Sequence, residues 1–368
     1  MIRIAYVINY IINNGPSNVV LNIIRNLDKS QYAITLITLF KGNDDNVVEK
    51  LCEDGIEVYE CKSLNRMGCL LNNSKEFFDV INSKRFDIIH THGFIPDILS
   101  SRIKDKLKKV TTIHNNMYED YFDSYGYFKS VIFTRLHLDA LKKLDECICC
   151  SKAVYDVMKF KLKNISYIRN GIELIQAKSI ITREELNIPR KAKVFIYVGA
   201  LNVRKNVVWL IDEFVKCHLN DEYLLILGQG EKEIECKKRA DDHVLILGFK
   251  NDPIAYMNIS DIYVSASKSE GFSISVLEAL SCGLIIFLSD INPHKEIYQI
   301  SNSDLYLGET FSLEDEKFNM KFKIIRKKFK LSNKERIQYF QKIELSDVVM
   351  AKKYIEIYRN MVEEIKGI

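Results

Sequence analysis

The stretch from Ser267 to Asp290, SKSEGFSISVLEALSCGLIIFLSD, sets two glutamates, Glu270 and Glu278, with seven residues between them. The apolar residues from Asp261 to Ser267 read as a buried strand, so Glu270 falls in the turn at its end. Gly271 and Phe272 follow, Ser273 and Ser275 suit the opening of a helix over 274–281, and Gly283 suits its end. Residues 284–288 are a second apolar run. Strand, acidic turn, helix and strand make one βαβ unit, and its turn lies where α/β sheets bind ligands. The unpaired N–H groups at the helix start favour a phosphate. Glu270 beside them accepts hydrogen bonds from sugar hydroxyls, and Glu278, near the second helical turn, reaches a ribose from the same face. Two surface carboxylates would share this spacing; the acid-Gly-Phe-Ser opening behind a buried strand sets the pair apart and implies a nucleotide-sugar pocket.

Other residues with chemistry stand at the ends of apolar runs. His114 follows the run 109–113, on the rim where it can hydrogen-bond a sugar or its phosphate. After it come Glu119, Asp120 and Tyr121 in the tyrosine-rich segment MYEDYFDSYGYF, whose carboxylates and aromatic faces suit the hydroxyls of a sugar acceptor. His90 and His92 follow the run 87–89; without a third ligand at suitable spacing, a metal reading is disfavoured. Gly228 and Gly230 follow the run 223–227 and allow close backbone approach to a ligand.

These runs alternate with amphipathic segments along the chain. Ile2–Ile8, Tyr32–Phe40, 56–61, 87–89, 109–113, 146–150 and 165–168 are expected strands of a first parallel sheet, and 193–198, 223–227, 244–247, 261–267 and 284–288 of a second. The first strand-loop-helix carries neither G-x-G-x-x-G nor G-x-x-x-x-G-K-[ST], which disfavours a dinucleotide dehydrogenase and a P-loop NTPase. The last helix, from Asp347, shows an apolar stripe at Val348, Ala351, Ile355, Tyr358 and Val362.

A length of 368 residues suits two domains, each with its own core, and 47% hydrophobic with 28% charged residues is the balance of a globular protein. The net charge of +4 compels no nucleic-acid partner. Basic residues gather locally: 13 Lys/Arg against 8 Asp/Glu over 102–163, and six in the ten residues KFKIIRKKFK at 321–330. Interleaved with Phe and Ile, such stretches suit an anionic membrane surface, and equally a solvated helix face. The nine cysteines lack a disulfide spacing and read as reduced, which with a strand directly after Met1 leads us to expect a cytoplasmic chain without a signal peptide. No apolar run approaches the roughly 20 residues needed to span a bilayer.

The Ser267–Asp290 stretch resembles the signature of the retaining glycosyltransferases of family 4 (glycosyl transferases group 1), and the resemblance runs along nearly the whole chain. It implies an α/β GT-B fold: two facing Rossmann-like doubly wound domains with an interdomain cleft and a C-terminal helix crossing back to the first domain. The expected domains are 1–175 (acceptor side), 176–345 (nucleotide-sugar side) and the helix 346–368, with Asn170-Gly171-Ile172-Glu173 resembling the turn that ends the first domain. In the family a glycine pair in the first loop approaches the donor diphosphate; here Gly15-Pro16-Ser17 stands in, leaving Gly15. His92 is implied to line the cleft. Lys205 falls on the family's diphosphate-facing lysine, whereas Ala200 occupies the arginine position, a departure that only the placement of Arg204 in space can offset. The turn of Phe249 and Lys250 corresponds to the one whose backbone contacts the base, with the Phe249 side chain either stacking there or packing in the core.

The resemblance implies transfer of a hexosyl unit from a UDP- or GDP-linked sugar to a hydroxyl of a glycan or lipid-linked oligosaccharide in bacterial surface polysaccharide synthesis (O-antigen, capsule or exopolysaccharide). Catalytic roles fall on Glu270, His114 and Lys205. Donor binding falls on Gly15, Arg204, Lys205, Gly228, Gly230, Phe249, Lys250, Glu270, Gly271, Phe272, Ser273 and Glu278, and acceptor binding on His92, Glu119, Asp120 and Tyr121. No metal or other cofactor is expected. The alternatives are a GT-B scaffold that binds nucleotide sugar without turnover, motivated by Ala200, and a nucleotide-sugar epimerase or hydrolase.

Overall fold

The computed structural model describes every residue except 13, 72, 105, 175–176, 302–305, 314–316, 328–332 and 367–368. Thirteen strands lie among the described residues: β1 Ile2–Ile8, β2 Tyr32–Thr38, β3 Glu57–Glu60, β4 Ile88–His92, β5 Lys108–Ile113, β6 Glu146–Cys149, β7 Ile165–Tyr167, β8 Lys193–Val198, β9 Glu222–Leu227, β10 Val244–Gly248, β11 Ile262–Ser265, β12 Ile285–Ser289 and β13 Gly308–Phe311. They form two sheets, ordered β3-β2-β1-β4-β5-β6-β7 and β10-β9-β8-β11-β12-β13. Every paired strand is parallel. In each sheet the chain winds outward one way from the first strand and then the other, so a switch point falls between β1 and β4, and another between β8 and β11.

The chain divides into two compact units, residues 1–171 with 347–368, and 172–346. The position between 175 and 176, where a boundary was expected, lies outside the described residues. The strands formed where the apolar runs stood because a parallel sheet is covered on both faces; β1, β4 and β8 show burial along most of their length rather than alternation. β13 was not anticipated: Gly308 opens it because a Cβ there would meet the Ile286 carbonyl oxygen of β12 at 2.0 Å. The nine thiols are all free.

Three segments differ from expectation. The tyrosine-rich segment is helical, part of Met117–Leu141, which breaks only at Gly126 with φ of +73°. Residues 321–327 lie in and just past the helix Lys317–Ile325; Phe322 and Ile325 are fully buried against Phe195, Phe214 and Phe287, and Arg326 pairs with Glu222 at 2.6 Å. Their apolar residues therefore serve the core of the second unit and offer nothing to a membrane; 328–330 lie outside the described residues. No helix among the described residues is long and apolar enough to cross a membrane.

The third is the C-terminal helix, Asp347–Lys366, which belongs to the first unit and packs on the helix Gly15–Arg25. Its inward stripe is Met350, Ala351, Tyr354, Tyr358, Met361 and Val362, whereas Val348 is 60% exposed. The stripe is rotated from the purely apolar one because two tyrosine hydroxyls have partners in the core. Tyr358 lies 2.9 Å from the Tyr6 hydroxyl on β1 and 2.7 Å from His90 Nδ1 on β4. His90 Nε2 lies 2.8 Å from Thr112 Oγ1 on β5, which in turn meets the Tyr354 hydroxyl at 2.9 Å. Burial pushes His90 down to about 3, so the ring is neutral and bonded at both nitrogens. At the helix start, Asn26 donates to Asp347 at 2.8 Å.

Removing one hydroxyl from this chain strands its buried neighbours. Tyr358→Phe should therefore destabilise the protein by about 1–3 kcal/mol, seen as a lower Tm by scanning calorimetry, while Val348→Ser should stay within about 0.5 kcal/mol of the parent.

Candidate functional site

At the switch point of the second sheet, the loops after β8 and β11 meet. β11 runs beside β8, with Tyr263 opposite Ile196. The two loops are tied by Lys268 N–H donating to the Arg204 carbonyl at 2.8 Å. In the first loop Tyr197 donates to the Ala200 carbonyl at 2.9 Å, and Asn202 Oδ1 accepts from the Lys205 N–H at 2.9 Å. This fold of the loop directs Arg204 and Lys205 onto one buried carboxylate, Glu270. Arg204 donates to the Ser269 carbonyl at 2.8 Å and to Glu270 Oε2 at 3.2 Å, Lys205 Nζ makes a short bond to Oε1, and Ser267 Oγ donates to Oε1 at 2.7 Å.

Burial by itself would push Glu270 up, but the Lys205 ammonium and Arg204 guanidinium outweigh it and hold the carboxyl at about 2. Lys205 is drawn below the ordinary lysine value, because burial and Arg204 together exceed the pull of Glu270. Its ammonium has three donors, of which Glu270 takes one. Ala200 is exposed and carries no charge; the second cation at Glu270 is Arg204.

His294 completes the cluster. Ser289 Oγ donates to the Ser267 carbonyl at 2.6 Å and so accepts from His294 Nδ1 at 3.0 Å. The proton is thereby fixed on Nδ1, and the buried Nε2, with no partner among the described residues, keeps its lone pair. Burial pushes this ring down to about 4.

The helix Ile274–Ser281 starts beside Glu270. Ser273 stands at its N-cap but does not cap it: its hydroxyl turns to Ser275 Oγ at 3.2 Å, and Tyr263 meets the same Ser275 Oγ at 2.8 Å. The first-turn N–H groups are thus left without a side-chain cap. Phe272 is packed away beneath the turn, and Gly271 is buried. Glu278 is half-buried, and its carboxylate has no hydrogen bond or ion pair among the described residues. Burial pushes it up to about 7.

The glycines after β9 approach protein backbone. A Cβ on Gly228 would lie 1.8 Å from the Gly199 carbonyl oxygen, and one on Gly230 2.4 Å from that of Leu201. They let the β9 loop close on the β8 loop that holds Arg204 and Lys205, a different need from the expected approach to a ligand. Phe249 is 48% exposed rather than in the core, and the Lys250 ammonium sits 5.7 Å from the Tyr256 ring centroid.

The remaining expected residues lie in the first unit, four of them around a cavity of about 510 Å³ at the β1/β4 switch point and the end of β5. His92, His114, Asp120 and Tyr121 line it, together with Arg66 and Tyr125. His92 Nδ1 lies 2.9 Å from His114 Nε2, so one donates to the other. Burial pushes both rings down, His114 to about 4, and both are neutral near pH 7. His92 Nε2 is buried without a partner among the described residues, as is Asn9 Oδ1, also on the lining. The Tyr121 hydroxyl is taken up by His137 at 2.7 Å, which meets Asp97 at 2.8 Å, so only its ring serves the cavity. Glu119 is exposed and off the lining; Gly15 opens the helix Gly15–Arg25, whose cap Asn14 accepts from Ser17 N–H at 2.9 Å. Sequence reasoning gave no role to Asn9 or Ser267, because a lone polar residue in a loop carries no periodic signal. No group of three His, Cys, Asp or Glu among the described residues is placed to hold a metal ion.

Comparison with known proteins bears on both units. Residues 13–176 match the family model described as Glycosyltransferase Family 4, and residues 179–304 that described as Glycosyl transferases group 1. The chain is 27% identical over 378 aligned positions to the O-antigen biosynthesis glycosyltransferase WclY of Escherichia coli, covering 99% of each. It is 28% identical to the Escherichia coli UDP-Gal:alpha-D-GlcNAc-diphosphoundecaprenol alpha-1,3-galactosyltransferase, covering 79% of this chain and 80% of the relative. Among solved structures, HepE of Anabaena in complex with UDP and glucose shares the fold with a TM-score of 0.80 at 13% identity, over 98% of this chain and 100% of that one. The two-sheet architecture is GT-B.

Glu278 gives this site a pH signature. Its folded value of about 7 stands above its ordinary 4.5, so the folded state holds a proton that the unfolded state releases, and stability falls as pH rises across that window. At one to two units of effective shift this amounts to on the order of 1–3 kcal/mol. Glu278→Gln should flatten the decline in Tm between pH 5 and 7 and leave the protein more stable than the parent at pH 8, as read by calorimetry across a pH series.

Proposed function

We propose that this chain, which belongs to the glycosyltransferases of group 1 and family 4, moves a hexosyl unit from a UDP-sugar to a hydroxyl of a lipid-linked glycan, with retention of configuration. The observation that carries the reading is the meeting of Lys205 and Arg204 on Glu270 beside the uncapped start of the helix Ile274–Ser281. Buried cations and free N–H groups at a sheet's switch point match a diphosphate. Glu278 in its ionised form, on the same helix, accepts the ribose hydroxyls. UDP is favoured because HepE is described with UDP and glucose and the galactosyltransferase relative is named for a UDP-sugar. The latter's name also motivates the diphosphoundecaprenol-linked acceptor, and that of WclY a place in O-antigen synthesis.

In this reading the sugar's C1–O bond to the β-phosphate breaks while the acceptor hydroxyl oxygen bonds C1 from the same face. The acceptor proton passes to the departing phosphate oxygen. Lys205, Arg204 and the helix N–H groups stabilise the charge that grows there, so the reaction is read as metal-independent. Glu270 orients the donor sugar by holding these cations in place, and His114, neutral, hydrogen-bonds the hexose. The cavity around His92 and Asp120 receives the acceptor sugar. A scaffold without turnover was motivated by Ala200; the arrival of Arg204 at Glu270 weakens that motive.

The test combines binding with turnover. UDP at 100 times its Kd, without Mg²⁺, should stabilise the parent by about 2.7 kcal/mol in a thermal-shift assay, with Glu278→Ala reducing the shift. Lys205→Ala should lower kcat by about 10²–10³-fold with a UDP-sugar and a lipid-linked acceptor. A folded parent that no nucleotide stabilises would sink the donor site, and binding without turnover would restore the scaffold reading.

A further inference from the structure

His92 and His114 have one proton between them, and the fold decides which ring gives it. β4 and β5 run parallel, with His90 opposite Val110 and His92 opposite Thr112. Each of these histidines bonds the residue two places beyond its β5 partner, on the same face of the sheet. His90 Nε2 lies 2.8 Å from Thr112 Oγ1, and His92 Nδ1 lies 2.9 Å from His114 Nε2. The His92 ring is held in this orientation, buried between Tyr6 at 6.3 Å and His90 at 4.3 Å, centroid to centroid. Burial keeps both His92 and His114 neutral, so two arrangements exist. If His114 donated from Nε2, His92 would carry its own proton on Nε2, a buried N–H without an acceptor among the described residues. If His92 donates from Nδ1, its Nε2 keeps only a lone pair, and His114 carries its proton on Nδ1. Orphaned buried N–H groups are rarer than under-satisfied acceptors. The second arrangement prevails.

We propose that His92 is a positioning residue for the transfer reaction: by donating from Nδ1 it fixes the His114 proton on Nδ1 and makes His114 a hydrogen-bond donor to a hexose oxygen. The bond made by one ring nitrogen of a histidine sets the state of the other. His114 Nδ1 makes no hydrogen bond to protein among the described residues, and His114 is half-buried on the cavity lining. Its N–H is thus left for substrate. A donor at this place selects a sugar oxygen and turns away a group that can only donate, such as an ammonium. The reverse arrangement would present a lone pair there and select the opposite. His90 cannot take the part of His92, because both of its nitrogens are engaged, with Tyr358 and Thr112. The inference deepens the reading in which His114 hydrogen-bonds the hexose, and rests on it.

The proton is located by nitrogen NMR of protein labelled at histidine, with His114 assigned by the signals lost in His114→Gln. The parent should show His114 protonated on Nδ1 and bare on Nε2; a proton on Nε2 would overturn the proposal before any substrate is added. Turnover is then followed with UDP-glucose and UDP-galactose on GlcNAc-diphosphoundecaprenol, the acceptor in the name of the galactosyltransferase relative. His92→Leu, which donates nothing, should lower kcat about 10–100-fold, the loss typical when the partner that orients a functional histidine is removed, while keeping the parent's thermal shift with UDP. His92→Asn, whose amide N–H stands where Nδ1 does, should recover most of that loss. Equal losses in the two variants, or none in His92→Leu, would contradict the positioning role. A His114→Gln variant that turns over like the parent would instead sink the hexose contact, and the proposal with it, even with the proton on Nδ1.

Discussion

A carboxylate out of water stays ionised only if cations stand beside it, and the second unit is built to meet that condition at Glu270. Both cations come from one loop, the one after β8, and the carboxylate from another, the one after β11. The pairing is therefore also what joins the two loops, together with the backbone bond from Lys268 to Arg204. Removing either cation would leave the others mispaired in a buried place, a situation costing several kcal/mol in general. The parallel sheet, its switch point and the glycines that let the β9 loop close in all serve this one meeting.

The contrast between Glu270 and Glu278 follows from the same physics. They flank one short helix start, yet the first is held down to about 2 and the second pushed up to about 7. The first has two cations and a serine; the second has burial without a partner. A group that is costly to bury unpaired is a group with a partner to gain, which is why Glu278 suits a ligand hydroxyl and Glu270 suits a scaffold for cations.

Much of this was legible in the sequence, and the reasons are local. Parallel strands covered on both faces read as continuous apolar runs, so twelve of the strands stood where the runs did. The Glu270 turn was legible because its strand, glycine and helix follow one another. What was hidden depends on contacts between distant residues. Whether Arg204 offsets Ala200 is decided by a loop fold that no spacing records. The rotation of the C-terminal helix is set by Tyr6, His90 and Thr112, more than 200 residues away from their tyrosines. Basic-apolar interleaving misled at 321–327, where Phe322 and Ile325 turned inward to the core of the second unit.

The crystal structure of the protein with UDP is the measurement that addresses the central claim most directly. The account places the β-phosphate against Lys205 Nζ, Arg204 and the N–H groups of residues 274–276, with the ribose hydroxyls on Glu278. UDP found elsewhere, or a diphosphate on that helix start with Lys205 and Arg204 turned away from Glu270, would contradict it.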